Sequence, residues 1–294
     1  MDQLLIGLIK DRPIRVYLVN SSASSKEICA LHHTTPVVSD ALSRLVSVGA
    51  MMSGMLKDKK SSLTLKIMGN GPIEQLLVVA TAKGTVRGFV SNPNVSLPLN
   101  KKGQLDVGKA VGDLGVLTVI KEMGLVRDFT GDVILMSGEI GDDFCYYFMK
   151  SEQTPSSVVV GAIINRDQSV KTSGGMIIQL MPSAEEEDIV YAENVTKKIT
   201  SISKMLDAEG DVTKLATSIF GSDLDILEVS PIKFQCDCSK ERFIRGIATL
   251  TRKEIAEMLE EDHGCDIKCE FCNRNYHLTE ADLMEALKIR GMKN

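Results

Sequence analysis

Tryptophan is absent from this 294-residue sequence, and all aromatic residues together make up only 4% of it. A surface that stacks on nucleic-acid bases therefore has little to build with. Positive charge is not in excess either. The 34 Lys and Arg stand against 39 Asp and Glu, for a net charge of -5, and nothing marks a partner made of phosphates. Apolar runs of roughly eighteen residues are lacking, which excludes the usual membrane-spanning helix. Met1 to Lys10 is short and amphipathic, without the basic flank, long apolar run and small-residue cleavage site of a secretory signal. The expectation is a cytoplasmic protein with no membrane and no nucleic-acid partner. Also missing are the phosphate-binding loop, the nucleophile elbow and the paired-histidine zinc motif of hydrolases, so no catalytic residues and no enzyme activity are expected.

What is present is an ordinary globular composition, 44% hydrophobic and 25% charged, on a chain long enough for two domains. Ile14 to Val19 reads as a strand and Asn20 to Ser25 as a polar loop or edge. From Pro36 to Leu56 the apolar residues Val38, Leu42, Leu45, Val46, Met51, Met52 and Met55 recur mostly at helical steps and predict a core helix. The methionines are core filler first, with an adaptable binding surface as the alternative. Ser62 to Met68, Gln75 to Ala80 and Thr85 to Val90 alternate between turn signals and predict an antiparallel meander. Further strands are expected at Val116 to Lys121, Val133 to Ser137, Val158 to Asn165 and Gly175 to Met181, with a helix over Asp142 to Lys150. Strands and helices do not alternate regularly, so the fold class is α+β. Gly69, Gly71, Gly174 and Gly175 read as turn glycines.

Beyond Pro182, Ser183 and Glu186 have the spacing of a capping box, and Val195, Ile199, Ile202 and Leu206 form one apolar helix face. A second short helix, Val212 to Phe220, stops at Gly221. Ser239, Thr251 with Glu254, and Thr279 with Asp282 then open three more helices. The resulting division is a core domain over 1–181, a helical linker over 182–230 and a small C-terminal segment over 231–294. From Pro231 onward eleven Lys and Arg face twelve Asp and Glu, so this segment is close to neutral.

Seven cysteines in a reducing compartment favour metal binding or redox chemistry over a disulfide framework. Cys236 and Cys238 form one tight pair, and Cys269 and Cys272 form another. Two local thiol pairs suit a tetrahedral ion, with a single zinc bound by four cysteines as the leading candidate. The one-residue spacing of the first pair is tighter than a zinc knuckle uses. Two sulfurs so close can also pair with each other once no metal holds them, which suggests a switch. A permanent structural zinc site, including a nucleic-acid-binding zinc ribbon, is the competing reading on spacing alone. The segment has a thin apolar inventory, so a metal would have to supply much of its folding free energy. Cys265 is expected to be an inert thiol or else a resolving or alternative ligand, and Cys29 and Cys145 to be small hydrophobes. His32 and His33 are adjacent and point apart; His263 and His277 flank the second pair and read as surface residues.

Ser230-Pro231-Ile232-Lys233-Phe234-Gln235-Cys236-Asp237-Cys238-Ser239, then Cys269-Glu270-Phe271-Cys272 with Tyr276, resembles the 33 kDa chaperonin, or heat-shock protein 33, family. Ser151 to Ser156 and Gly174 to Leu180 resemble it too, and the likeness spans essentially the whole chain. It implies a stress-response holdase that is inactive when reduced and zinc-bound. It further implies that Cys236, Cys238, Cys269 and Cys272 are the metal ligands and that oxidation forms Cys236–Cys238 and Cys269–Cys272 disulfides. Zinc release and unfolding of the C-terminal segment would then permit binding of unfolded or oxidatively damaged clients, with a homodimer as the active form. Cys265 lies outside the family pattern.

Overall fold

Alternating Val, Ile and Leu residues give the first unit its two sheets. The computed structural model describes residues 1–124, 128–261 and 263–291. Gln3–Ile9 (β1) and Ile14–Asn20 (β2) form a hairpin, followed by helices Ser22–His32 (α1) and Pro36–Ser53 (α2). The expected meander is Ser62–Gly69 (β3), Gln75–Thr81 (β4) and Thr85–Val90 (β5), all antiparallel. Val107–Val111 (α3), Gly115–Glu122 (β6), Phe129–Ile134 (β7), Gly141–Lys150 (α4), Ser156–Ile164 (β8) and Val170–Leu180 (β9) come next. Three helices, Glu186–Lys198 (α5), Ile202–Glu209 (α6) and Val212–Phe220 (α7), precede Leu224–Pro231 (β10) and Lys233–Phe234 (β11). The five-stranded sheet runs β10-β1-β2-β9-β8 and the six-stranded sheet β11-β5-β4-β3-β6-β7. This mixture of sheets and helices is the expected α+β class.

The helix α2 packs on β8 and β9 of one sheet and on β3, β4 and β5 of the other, so nearly every side chain along it is buried. Met51 and Met52 are among them, which makes them core filler. A second core lies where α5, α6 and α7 cover the five-stranded sheet: Leu5, Val16, Leu18, Met176 and Ile178 meet Val195, Ile202, Leu206 and Leu215. The chain separates into two compact units, Met1–Gln235 and Cys236–Asn294.

Several elements differ from the sequence expectation, each because of particular hydrogen bonds or packing contacts. Met1 to Lys10 holds an inner strand of the five-stranded sheet, β1. The expected polar loop at Asn20 to Ser25 instead begins α1, because the buried Asp2 carboxylate accepts from the backbone N–H of Ala23 at 2.8 Å and of Ser24 at 2.6 Å. The expected strand over Val133 to Ser137 ends at Ile134. Beyond it the chain wraps Asp143, which accepts from the amides of Met136, Ser137, Gly138 and Ile140. The capping box is at Glu185 and Asp188 rather than Ser183 and Glu186; Asp188 accepts from the Glu185 amide at 3.0 Å while Arg12 holds it at 2.8 Å. The face Val195, Ile199, Ile202, Leu206 is split over two helices, since Ser201 caps α6 by accepting from the Lys204 amide. Gly174 and Gly175 lie inside β9. A Cβ on Gly174 would meet the Val19 carbonyl at 2.4 Å, and one on Gly175 would meet a Val160 methyl at 2.7 Å, so close packing is their role.

The second unit contains Lys240–Ile247 (α8), Arg252–Glu261 (α9), Gly264–Lys268 (β12), Asn275–Thr279 (β13) and Glu280–Gly291 (α10). Ser239 caps α8, while Thr251 with Glu254 and Thr279 with Asp282 make the expected bonds at the starts of α9 and α10. The hairpin β12–β13 was not expected. Its apolar core is small: Ile244, Ala248, Leu278 and Ala286, with Phe243, Ile247, Cys265, Ile267 and Ile289 packed against them.

Candidate metal centre

Cys236 and Cys238 lie on the segment leading into α8, and Cys269 and Cys272 lie on the turn joining β12 to β13. That turn is closed by the Cys269 amide donating to the Arg274 carbonyl at 2.9 Å and the Asn273 amide donating to the Cys269 carbonyl at 2.8 Å. Asn273 adopts a left-handed backbone with φ 59°, which Asn tolerates better than most residues. The four sulfurs all fall within 4.8 Å of one another. Cys236 and Cys269 approach to 3.7 Å, and Cys238 and Cys272 to 3.4 Å. Cys269 and Cys272 are buried, their partners half-buried.

Four thiolates this close repel one another, and burial compounds the cost. Burial pushes the Cys236 thiol well above its ordinary value, and hydrogen bonds with its three neighbouring sulfurs raise it further. Burial likewise raises Cys272. Burial also opposes ionisation of Cys238, but hydrogen bonds from Tyr276 and then from the other thiols outweigh it and bring that group down to about 7. A soft cation among the four sulfurs would remove the repulsion, and the donor set could hold such an ion.

Cys265 sits in the hydrophobic cluster of its unit and is not one of the four. Cys29 is buried with its sulfur 3.8 Å from both the Ser39 carbonyl and the Ser43 hydroxyl, and the Cys145 sulfur accepts from the Val158 amide at 3.2 Å. Burial raises both thiols. His263 Nδ1 lies 2.7 Å from Glu280 and His277 Nδ1 lies 2.9 Å from Asp266, both at exposed positions. His32 contacts the Gly88 carbonyl, while His33 ends α1. Tyr276 and Arg274 were given no role from sequence. Alternation along β13 was the available signal, because Tyr276 shares a side with the fully buried Leu278.

A family model described as Hsp33 protein matches residues 2–279. The chain belongs to the Hsp33 family. It is 43% identical to the 33 kDa chaperonin of Bacillus pumilus (strain SAFR-032) over 285 residues, covering 97% of this chain and 98% of that protein. It is also 43% identical to the 33 kDa chaperonin of Staphylococcus carnosus (strain TM300), with 96% of each covered. Among solved structures, the crystal structure of the 33 kDa chaperonin (heat shock protein 33 homolog) of Thermotoga maritima matches with a TM-score of 0.86 and 34% identity over 99% of both chains. Hsp33 membership makes this chain a chaperone, a protein whose ligands are unfolded clients. No helix among the described residues of this Hsp33 chain is long and apolar enough to cross a membrane.

Proposed function

We propose that the chain is a redox-regulated holdase of the cytoplasm whose switch is the cluster Cys236, Cys238, Cys269 and Cys272. The observation carrying this reading is that four sulfurs from two distant segments lie within 4.8 Å of one another. The set fits zinc: Zn–S bonds of about 2.3 Å place tetrahedral sulfurs about 3.8 Å apart, near the 3.4 and 3.7 Å contacts. When bound, zinc would keep the four cysteines as thiolates and would add roughly 10 to 16 kcal/mol of folding free energy to a unit with a thin core.

Oxidation works on the sulfurs. One thiolate of a pair attacks a peroxide oxygen, the O–O bond breaks and hydroxide leaves; the second thiolate then attacks the sulfur of the resulting sulfenic acid, forming the S–S bond and displacing its oxygen as a second hydroxide. Forming each disulfide, Cys236–Cys238 and Cys269–Cys272, thus takes two electrons from one thiolate pair to one peroxide, which takes up two protons and leaves as two waters. Disulfide sulfurs are poor donors, so the unit Cys236–Asn294 loses its folding energy. The helices α5, α6 and α7 can then lift from the five-stranded sheet, baring Leu5, Val16, Leu18, Met176 and Ile178 for clients and for a second copy in an active homodimer. Holding a client makes and breaks no covalent bond, so no catalytic residue is required.

Metal content and thiol count before and after peroxide test this. Reduced protein should carry about one zinc per chain with four protected thiols. After peroxide the metal should be gone, with Cys29, Cys145 and Cys265 left as free thiols. Reduced protein without zinc would sink the assignment, and zinc retained through oxidation would indicate a permanent staple.

A further inference from the structure

One cluster sulfur is held differently from the rest. The Tyr276 hydroxyl lies 3.1 Å from Cys238 Sγ and 3.1 Å from the Cys238 carbonyl oxygen, so its one proton is shared between two acceptors of the same residue. Its ring packs against Phe243 of α8, with centroids 5.0 Å apart. The Arg274 guanidinium interacts with the same hydroxyl. A guanidinium has only protons to offer, so it fills a lone pair of the tyrosine oxygen and leaves the single hydroxyl proton directed at Cys238. The close contacts of Cys236 with Cys269 and of Cys238 with Cys272 are between sulfurs alone.

The covalent order makes this contact consequential. Tyr276 stands four residues past Cys272, on the strand that leaves the second thiol pair, whereas Cys238 belongs to the first pair. The hydroxyl therefore ties the two halves of the site together without itself being a ligand. We infer that Tyr276, oriented by Arg274, is a positioning residue that fixes Cys238 as a donor and shields its sulfur from electrophiles; this rests on the metal-site reading above. A hydrogen bond donated to a thiolate draws off electron density, which strengthens its placement toward a cation and lowers its reactivity. Groups that orient a metal ligand in this way are worth roughly 10- to 100-fold in metal affinity.

Tyr276→Phe isolates the hydroxyl, since it keeps the ring against Phe243. The reduced full-length protein is loaded with cobalt(II), whose sulfur charge-transfer band reports the thiolate donors. Affinity is then measured by chelator competition, and alkylation by iodoacetamide is followed at each cysteine by peptide mass spectrometry. About tenfold weaker cobalt binding is expected. Cys238 should be alkylated several-fold faster, relative to Cys236, Cys269 and Cys272, than in the parent protein. Arg274→Gln, which cannot misfold the hairpin by removing an aromatic ring, should move both readouts the same way by a smaller factor. Unchanged affinity and reactivity in Tyr276→Phe would overturn the inference. Equal acceleration at all four thiols would also overturn it, because general loosening has no preference for Cys238. A parent protein that took up no cobalt would instead refute the metal reading, and this inference with it.

Discussion

Cys269 and Cys265 are four residues apart on the same hairpin, yet the structure gives them different surroundings. Cys269 is 4% exposed, with Cys236 Sγ at 3.7 Å, while Cys265 lies among the apolar side chains of the small core. A serine hydroxyl at 269 is a poor substitute for a thiolate at a site that needs four donors. Cys269→Ser should therefore cost most of the bound metal and unfold the second unit even under reductant. Far-UV circular dichroism and metal analysis read this directly. Cys265→Ser replaces a partly buried thiol by a smaller polar group and should leave zinc content and switching nearly unchanged. Loss of zinc in Cys265→Ser would mean that the ligand set had been drawn wrongly. At this scale the sequence was informative because metal chemistry is local: two short spacings bring four donors into reach. The contact of Tyr276 with Cys238 was not legible, because the two lie thirty-eight positions apart and only the fold brings them together.

The helices α5 and α6 are clasped to the five-stranded sheet at two points as well as by their apolar faces. Asp188 takes Arg12 from the β1–β2 turn at 2.8 Å, and Asp207 takes Lys171 and Thr172 from β9, each at 2.7 Å. The Glu185 amide and then Arg12 hold the Asp188 carboxyl below the usual range; Lys171 and then Thr172 do the same for Asp207. A depressed acid contributes stability above its unfolded value, about 3.9, and that contribution is lost as pH falls through the folded one. The clasps should accordingly hold at pH 5 and fail progressively below about pH 4. Hydrogen exchange in 186–209, corrected for intrinsic rates, should show protection falling between pH 5 and pH 3. Asp188→Asn should already be less protected at pH 5 and show a smaller step; protection independent of pH in the parent protein would refute the clasp. The periodic elements were legible in the sequence, since α2, the meander and α7 announce themselves by spacing. Boundaries fixed by particular side-chain bonds were not: Asp2 and Arg12 set the starts of α1 and α5 from distant parts of the chain, and Asp143 ends β7 from the following helix.

Whether the second unit restrains the first is a property of the whole molecule, and truncation reads it. Ile232 is buried in the core between the two sheets, and Lys233–Phe234 pairs with Thr85 and Val86, so a cut at Pro231 would damage the first unit. A cut after Gln235 keeps every strand of both sheets and the second core beneath α5, α6 and α7. Met1–Gln235 should therefore fold, which a cooperative thermal transition would show. If the metal unit is the restraint, this fragment should suppress aggregation of a heat-denatured client in reductant, where the full-length protein does not. The energetics allow it. A zinc contribution of roughly 10 kcal/mol exceeds the roughly 5.5 kcal/mol that moves a two-state equilibrium from 1:99 to 99:1. Removing the segment can thus shift the helices from docked to lifted almost completely, provided about half of that energy is coupled to their docking. Light scattering of the client at equal chaperone concentrations, with fragment and full-length protein compared before and after peroxide, supplies the comparison. The fragment should match the oxidised full-length protein and show no response to peroxide, since it keeps only Cys29 and Cys145. A folded fragment that left the client to aggregate would show that Cys236–Asn294 takes part in holding clients, and the restraint would have to be abandoned.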